Sequence, residues 1–116
     1  MYSERAADHF RNPRNVGDLP GATHVGEARH DRTAARVRLA LRVDRDRVVE
    51  ARFRALGCSG TIAAASAATE LLRGRTLEEA ARLEPREIES ALGGLPEDRA
   101  HCAPLVVAAL AKALGR

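Results

Sequence analysis

Three side chains with metal-binding or nucleophilic chemistry stand out in the sequence: Cys58, His101 and Cys102. They include the only two cysteines among the 116 residues, and His101 is adjacent to Cys102. Thiolate and imidazole groups are suitable ligands for zinc and iron-sulfur centres. A thiol at the start of a helix is also acidified by the helix dipole. The competing interpretation is that Cys58 is a small buried apolar residue and His101 a surface histidine.

The elements around Cys58 are predicted from the hydrophobic pattern. Residues 37–43 alternate between apolar and polar side chains, which is typical of a strand with one wet face. A polar turn leads to a second strand over residues 48–56, so the two strands should form a hairpin. Residues 61–73 then show helical spacing, and Gly74 follows as a C-cap. Cys58 is therefore expected between the hairpin and the N-terminus of a helix.

Helices are also predicted at both ends of the chain. Ser3 is a candidate N-cap for a first helix that ends at Arg11. The last helix should run from about residue 99 to Leu114, and Pro104 limits how early it can begin, because proline fits only the first turn. That limit places His101 and Cys102 at or just before the helix N-terminus. After the first helix the strands come together and the other helices follow them, so the predicted fold class is α+β.

Length, charge and composition restrict the function further. A chain of 116 residues fits one domain, residues 1–116, that can fold without disulfides. The formal charge of +3 comes from 19 Lys and Arg against 16 Asp and Glu, with no unbroken basic block and few aromatics, so nucleic-acid binding is not predicted. No run approaches the ~18 apolar residues of a membrane span, and no leading signal segment is present. We therefore expect a soluble, cytoplasmic protein without membrane association.

Short motifs are distributed over nearly the whole chain. They are Tyr2-Ser3-Glu4, Asp8-His9, Asn12-Pro13-Arg14-Asn15-Val16-Gly17, Ala51-Arg52-Phe53, Gly57-Cys58, Thr69-Glu70, Gly74-Arg75-Thr76-Leu77-Glu78-Glu79-Ala80, Leu95-Pro96 and His101-Cys102. In the same order and with closely similar spacing, this set resembles the iron-sulfur cluster scaffold family of IscU and the N-terminal domain of NifU. An ordered set of motifs is far more specific than any one of them alone.

The resemblance implies a small antiparallel sheet packed against helices, the IscU/NifU-like (SufE/NifU-type) α+β fold. In the family, three cysteines and a histidine accept sulfur from a cysteine desulfurase, take iron and hold a transient 2Fe-2S cluster for recipient apoproteins. By position, Cys58 matches the second cysteine, His101 the histidine and Cys102 the third cysteine. The resemblance thus assigns these three residues as ligands for iron, a 2Fe-2S cluster or zinc, in a carrier without turnover of its own.

The first cysteine of the family is missing from this chain. Its place falls on Arg32 or, with one deletion in the hairpin, on Thr33, and neither is a good iron or zinc ligand. His30 or Asp31 could supply a fourth ligand, since imidazole and carboxylate both bind zinc and histidine can replace cysteine on a cluster iron. The alternative is that both are ordinary surface residues.

Three ligands still allow several kinds of chemistry. They suffice for an open zinc site, whereas a 2Fe-2S cluster held by them alone should be labile or be completed by an outside thiolate. Cys102 could also accept sulfur as a persulfide, with His101 or a metal lowering its thiol pKa. A degenerate homologue that binds a cysteine desulfurase without a cluster is the alternative function. A hydrolytic zinc enzyme is disfavoured, because no His-Glu-x-x-His signature is present.

The segment before His101 departs from the family as well. Members served by the dedicated Hsp70-type chaperone carry Leu-Pro-Pro-Val-Lys there, whereas this chain has Leu95-Pro96-Glu97-Asp98-Arg99. Placing two carboxylates in a peptide groove is unfavourable because both must lose their hydration. Recognition by that chaperone is therefore not expected.

Several other residues are predicted to be structural. Phe53, Leu56 and Ile62 are expected in the core, and Phe10 on the apolar side of the first helix. His9 on the same helix is expected to cap it or to face water rather than to bind a metal.

Overall fold

The computed structural model describes residues 1–116 and contains five α-helices and one sheet of three strands. The predicted α+β class, with a small antiparallel sheet packed against helices, is confirmed. None of the helices combines the length and the apolar character that crossing a bilayer requires. The elements in chain order are α1 (Glu4–Arg11), β1 (His24–Arg29), β2 (Arg36–Asp44), β3 (Arg47–Leu56), α2 (Ser59–Leu72), α3 (Leu77–Ala81), α4 (Pro85–Ala91), a 3-10 turn (Glu97–Arg99) and α5 (Cys102–Ala113).

Strands β2 and β3 form the predicted hairpin. The turn residues Arg45 and Asp46 have φ angles of 52° and 65°, the left-handed conformation that a two-residue hairpin turn favours. On β2, the alternate residues Val37, Leu39 and Leu41 are fully buried. The period-two pattern therefore places one face of the hairpin in the core, against α2 and α5.

Strand β1 is an element that the hydrophobic pattern does not predict. It pairs antiparallel with β2 and forms the other edge of the sheet, so the strand order is β1-β2-β3. The two buried residues on β1 are Gly26 and Ala28, which are too small to give an alternation signal. The strand forms because β2 offers it backbone hydrogen bonds and α5 covers it, and the contact with α5 comes from the far end of the chain.

Helix α5 lies directly on β1 at Gly26. A Cβ at this position would overlap the Ala113 backbone nitrogen and the Ala109 carbonyl oxygen, and would lie 2.8 Å from the Ala113 Cα. Glycine therefore allows the helix backbone to approach the strand more closely than any residue with a side chain would. Because α5 begins at Cys102, this contact near its far end determines how the helix lies across the sheet.

The outer edge of β3 is partly covered by segments without regular structure. The Phe53 N–H donates to the Asn15 carbonyl at 3.0 Å, and the Gly17 N–H donates to the Phe53 carbonyl at 2.8 Å. At the other end of the strand, Thr76 forms an isolated bridge to Arg47. The turn after α1 is thus fixed to the sheet, and part of this edge has hydrogen-bonding partners.

The predictions about the core are only partly correct. Phe53 is buried, at 2% exposure, and Ile62 is half-buried, but Leu56 is 58% exposed. Leu56 lies opposite Arg36 at the end of β3, on the outward face of the sheet, because it is an odd number of residues from Phe53. Phe10 is also largely exposed, at 44%. The predicted core role of Leu56 is therefore wrong, and the apolar side of α1 is buried at Ala6 but not at Phe10.

His9 is not a capping or water-facing residue, as the sequence suggests, but is buried between α1 and α2. Its Nδ1 lies 2.8 Å from the Ser66 Oγ, and its Nε2 lies 3.5 Å from Glu70 Oε1. Burial lowers the pKa of His9, and the charge of Arg14 adds to this effect, while Glu70 opposes it. The neutral imidazole therefore joins the two helices, and it lies in a different part of the structure from the cysteines.

Candidate metal centre

The turn from β3 into α2 places Cys58 at the start of the helix. Gly57 has a φ of 145°, which favours glycine, and Cys58 is the N-cap residue of α2. The Cys58 carbonyl accepts hydrogen bonds from the N–H groups of Thr61 and Ile62, at 3.0 and 3.3 Å. The helix therefore begins at Ser59, two residues earlier than predicted, and the expected position of Cys58 at its N-terminus is confirmed.

The N-terminus of α5 lies beside that of α2. His101 is the N-cap residue and Cys102 the first residue of α5, with Pro104 in the first turn, as predicted. Gly60 makes the close approach of the two helices possible, since a Cβ there would lie 3.0 Å from the Cys102 Sγ and 3.2 Å from the Tyr2 hydroxyl. Two helix N-termini thus bring residues that are 44 positions apart into one site.

The three predicted ligands are brought together. The Cys58 Sγ and Cys102 Sγ are 3.7 Å apart, and the Cys102 Sγ is also 3.7 Å from the His101 Nε2. All three ligand atoms lie within 4.8 Å of one another. Two sulfurs bound to a tetrahedral zinc at ~2.3 Å lie ~3.8 Å apart, and a sulfur and an imidazole nitrogen lie ~3.5 Å apart. The site therefore already has nearly the spacing that a tetrahedral metal requires.

Thr61 connects the two thiols, and sequence reasoning did not identify it as a site residue. Its hydroxyl oxygen lies 3.5 Å from the Cys58 Sγ and 3.6 Å from the Cys102 Sγ, and its side chain is fully buried. The available signal was its position three residues after an N-cap cysteine, where the side chain turns back toward the cap. Thr61 is therefore a positioning residue between the two sulfurs.

The two thiols differ strongly in acidity. Burial raises the pKa of Cys58, but hydrogen bonds from the hydroxyl and backbone N–H of Thr61 outweigh it, so the net pKa of Cys58 is lowered. Burial raises the pKa of Cys102 to about 11. Cys58 is half-buried, whereas Cys102 is fully buried. Without a metal, Cys58 therefore carries more thiolate at neutral pH than Cys102 and is the better candidate to accept sulfur.

This difference predicts selective chemical modification. At neutral pH and with a chelator present, a haloacetamide should modify Cys58 faster than Cys102 by about 10-fold or more. Only thiolates react, burial raises the pKa of Cys102 to about 11, and hydrogen bonds lower that of Cys58, although a more acidic thiolate is intrinsically a weaker nucleophile. Peptide mapping by mass spectrometry measures the two rates. In denaturant both cysteines should react alike, and equal rates in the folded protein would contradict the predicted difference in acidity.

Of the two candidate fourth ligands, His30 lies beside the site. Its ring centroid is 4.7 Å from that of His101, with the ring planes tilted by 50°. The carboxylate of Asp31 is not part of the ligand group, and Asp31 lies in the exposed bend between β1 and β2. Arg32 and Thr33, the positions that align with the missing cysteine, occupy the same bend. The Thr33 hydroxyl accepts a hydrogen bond from the Ala35 N–H at 3.1 Å.

The segment before His101 closes one side of the site. Glu97 to Arg99 form a single 3-10 turn in which both carboxylates are exposed, and no carboxylate belongs to the ligand group. The Arg99 Nε donates to the Tyr2 hydroxyl at 3.0 Å. Arg99 also carries a positive charge close enough to favour the thiolate form of Cys102. Tyr2 and Arg99 are two further residues beside the site that sequence reasoning did not assign to it.

Comparison with known proteins decides the family. Residues 1–116 match the family model described as the NifU-like N-terminal domain. The chain belongs to this family. It is 38% identical over 114 residues to the iron-sulfur cluster assembly scaffold protein IscU 1 of Archaeoglobus fulgidus, and the match covers 98% of this chain and 74% of that protein. The scaffold protein IscU of Aquifex aeolicus is 36% identical over 106 residues, covering 90% of this chain and 68% of that protein.

Solved structures agree on the fold of this NifU-like domain. A crystal structure from Fervidobacterium islandicum superposes with a TM-score of 0.79 at 22% identity, and covers 97% of this chain and 96% of that one. A NifU-like N-terminal domain from Brucella abortus gives a TM-score of 0.64 at 19% identity, over 95% of this chain and 76% of that one. The resemblance to the IscU and NifU family and the IscU/NifU-like fold are therefore confirmed.

Proposed function

We propose that this NifU-like domain is an iron-sulfur cluster assembly scaffold. Iron and sulfide would bind as a transient 2Fe-2S cluster on Cys58, His101 and Cys102, and the cluster would pass to recipient apoproteins. Zinc is the alternative metal for the same ligands. The proposal depends mainly on one observation: three ligand atoms lie within 4.8 Å of one another in a chain whose relatives are named scaffold proteins. The chain would act as one cytoplasmic domain, without turnover of its own.

The burial of the three side chains supports a role in temporary binding. Cys102 is fully buried and forms the inner wall, whereas Cys58 and His101 are half-buried and face outward. A cluster on these ligands would sit at the surface, and at least one of its coordination positions would lie outside this set of three. Solvent access favours release of a cluster to a protein that offers better ligands.

The helix N-termini supply positive electrostatic potential to the site. Helices α2 and α5, of 14 and 12 residues, both begin at the cysteines. Their dipoles stabilise thiolates and other anions at this end, and the effect falls off within the first turn. The structure therefore favours deprotonated Cys58 when a metal or a sulfur donor approaches, and the positive charge of Arg99 acts in the same direction on Cys102.

Sulfur transfer would use Cys58 first. Its thiolate attacks the outer sulfur of a persulfide on the desulfurase; the new S–S bond forms on Cys58 as the desulfurase S–S bond breaks. The desulfurase cysteine leaves as a thiolate, so no additional oxidant or reductant is needed. Cys58 fits this role because it is half-buried with a lowered pKa, whereas Cys102 is fully buried with a pKa of about 11.

The decisive experiment measures iron, zinc and acid-labile sulfide per chain after anaerobic purification, and again after iron and sulfide are supplied. Wild type should bind iron and sulfide in nearly equal amounts and show visible absorption, and Cys58→Ala should lose both. His24→Ala is the control, because His24 lies on β1 away from the ligand group. Absence of any metal in every preparation would contradict the proposal, and zinc alone would restrict it to a zinc-binding or sulfur-accepting role.

A second candidate function is a module that binds a cysteine desulfurase without holding a cluster. The observation that favours it is the absence of the first family cysteine, whose place falls on Arg32 or Thr33 in an exposed bend. In that case wild type and Cys58→Ala should bind the desulfurase equally, and neither should contain iron or sulfide. A pull-down with each variant, combined with the metal analysis, separates the two functions.

A further inference from the structure

We propose that His30 is the fourth ligand of this centre, so that two sulfurs and two imidazoles hold the metal. This inference rests on the proposed function, because it concerns the same site. It differs from the pattern that the resemblance implies, in which three cysteines and one histidine are the ligands. His30 comes from the bend that follows β1, and its ring lies close to the ring of His101.

The relative position of the two rings fits shared coordination. Their centroids are 4.7 Å apart and their planes are tilted by 50°. For two imidazoles bound to one tetrahedral zinc, metal-nitrogen bonds of ~2.0 Å place the ring centroids ~5 Å apart. His101 Nε2 is already 3.7 Å from the Cys102 Sγ, so the His30 ring lies beside a ligand and not merely on the same surface. The group of three ligand atoms within 4.8 Å does not include His30, so its side chain must turn toward the metal to make the fourth bond.

The backbone holds His30 in this position. Its N–H donates to the Ala35 carbonyl at 2.9 Å, which closes the bend directly at the ends of β1 and β2. The Thr33 hydroxyl stabilises the same bend through the Ala35 N–H. A ligand on a short bend with fixed ends loses little conformational freedom when it binds a metal. The bend therefore presents His30 to the site without a large rearrangement.

The hydrogen bonding of His30 leaves a nitrogen for the metal. Its Nδ1 accepts a hydrogen bond from the Arg32 N–H at 3.2 Å, so a neutral ring carries its proton on Nε2. A metal on Nε2 moves this proton to Nδ1, and the contact with Arg32 opens. A metal on Nδ1 displaces the same contact. In either case coordination costs His30 only one exposed hydrogen bond.

The charge of such a site differs from that of a site with three thiolates. Zn²⁺ with two thiolates and two neutral imidazoles has no net charge, and the same holds for an oxidised 2Fe-2S core, whose charge is also +2. If a third thiolate took the place of one imidazole, the whole site would carry one negative charge. Replacing thiolate by imidazole on a cluster iron raises the reduction potential. His30 would therefore make a bound cluster easier to reduce than one held by three thiolates.

The test is a titration of the purified protein with Co²⁺ in competition with a chelator, read by absorption. Co²⁺ reports the number of thiolates and the coordination number in its spectrum and follows the same ligand preferences as zinc. Wild type should bind one Co²⁺ with tetrahedral bands. His30→Ala should weaken binding by about 10- to 100-fold, change the bands and leave the metal-free protein equally stable. His30→Cys should restore tight binding with stronger thiolate bands.

Two matched variants and the wild type separate the outcomes. His24→Ala changes another half-buried histidine, at the opposite end of the same strand, and Asp31→Ala changes the neighbouring acidic residue. Both should bind Co²⁺ like wild type. Equal affinity and spectra for wild type and His30→Ala, or a loss confined to Asp31→Ala, would overturn the assignment of His30 and leave the scaffold function intact. No Co²⁺ binding by any of the proteins would overturn both.

Discussion

Replacing Gly26 by alanine should destabilise the protein by about 3 kcal/mol, and should also weaken metal binding in the molecules that remain folded. A Cβ at this position would overlap the backbone nitrogen of Ala113 and the carbonyl oxygen of Ala109. Because the overlap is with helix backbone, no change of a side-chain rotamer can relieve it. Helix α5 must move away from β1, and Cys102 at its start must move with it. Denaturant unfolding and a metal titration of the same sample measure the two effects.

Gly74→Ala provides the control for this prediction. A Cβ at Gly74 meets no atom within 4 Å, but its φ of 88° is unfavourable for alanine. Gly74→Ala should therefore lower the free energy of unfolding by about 1 to 2 kcal/mol through backbone strain alone, with no change in metal affinity. If Gly26→Ala behaved in the same way, with unchanged metal affinity, the contact of α5 with β1 would not determine the position of the ligands.

Zinc should stabilise the protein strongly. At a free concentration 100 times the dissociation constant, it should raise the free energy of unfolding by about 2.7 kcal/mol, and by about 4 kcal/mol at 1,000 times. The physical reason is that Cys58 and Cys102 are 44 residues apart, so that only the folded chain presents them to one metal. Residual binding of zinc to cysteines of the unfolded chain would reduce the effect. Thermal unfolding over a series of zinc concentrations, with reversal by a chelator, measures it.

Variants of single ligands test the cause of that stabilisation. Cys58→Ala and Cys102→Ala should each remove most of the zinc-dependent gain in stability. In the absence of metal, the two variants should differ in their free energy of unfolding. Cys102 is fully buried in the core, so its loss leaves a small cavity and lowers stability by about 1 kcal/mol, whereas half-buried Cys58 should matter less. A zinc-dependent gain of the same size in Cys58→Ala would show that the metal stabilises the protein from another place.

The fold could be predicted from sequence wherever a pattern was local. The alternation over β2, the polar turn, and the position of Pro104 each depend on neighbouring residues, and each prediction is confirmed. Strand β1 could not be predicted, because its buried positions Gly26 and Ala28 carry almost no apolar signal. Its existence depends on α5, which packs on it from the other end of the chain. The burial of His9 could not be predicted for a related reason, because its partner Ser66 lies 57 residues away.

The residues of the site could be predicted from the sequence, but the different burial and acidity of the two cysteines could not. The positions of Cys58, His101 and Cys102 at helix starts followed from the helical pattern, and their proximity followed from the family resemblance. The depth of each side chain is a property of the packed structure. The spacing of Thr61 from Cys58 was the only sequence signal for its place between the sulfurs. No pattern indicates that burial raises the pKa of Cys102 while hydrogen bonds lower that of Cys58.

The two edges of the sheet differ in a way that affects solubility during expression and storage. The outer edge of β3 has backbone partners at Asn15, Gly17 and Thr76, which interrupt the edge that a strand of another molecule would need. Strand β1, at the other edge, is only six residues long and alternates small residues with the charged Glu27 and Arg29. Short, charged edge strands are poor templates for intermolecular pairing. The protein should therefore resist aggregation through its sheet even when its metal centre is empty.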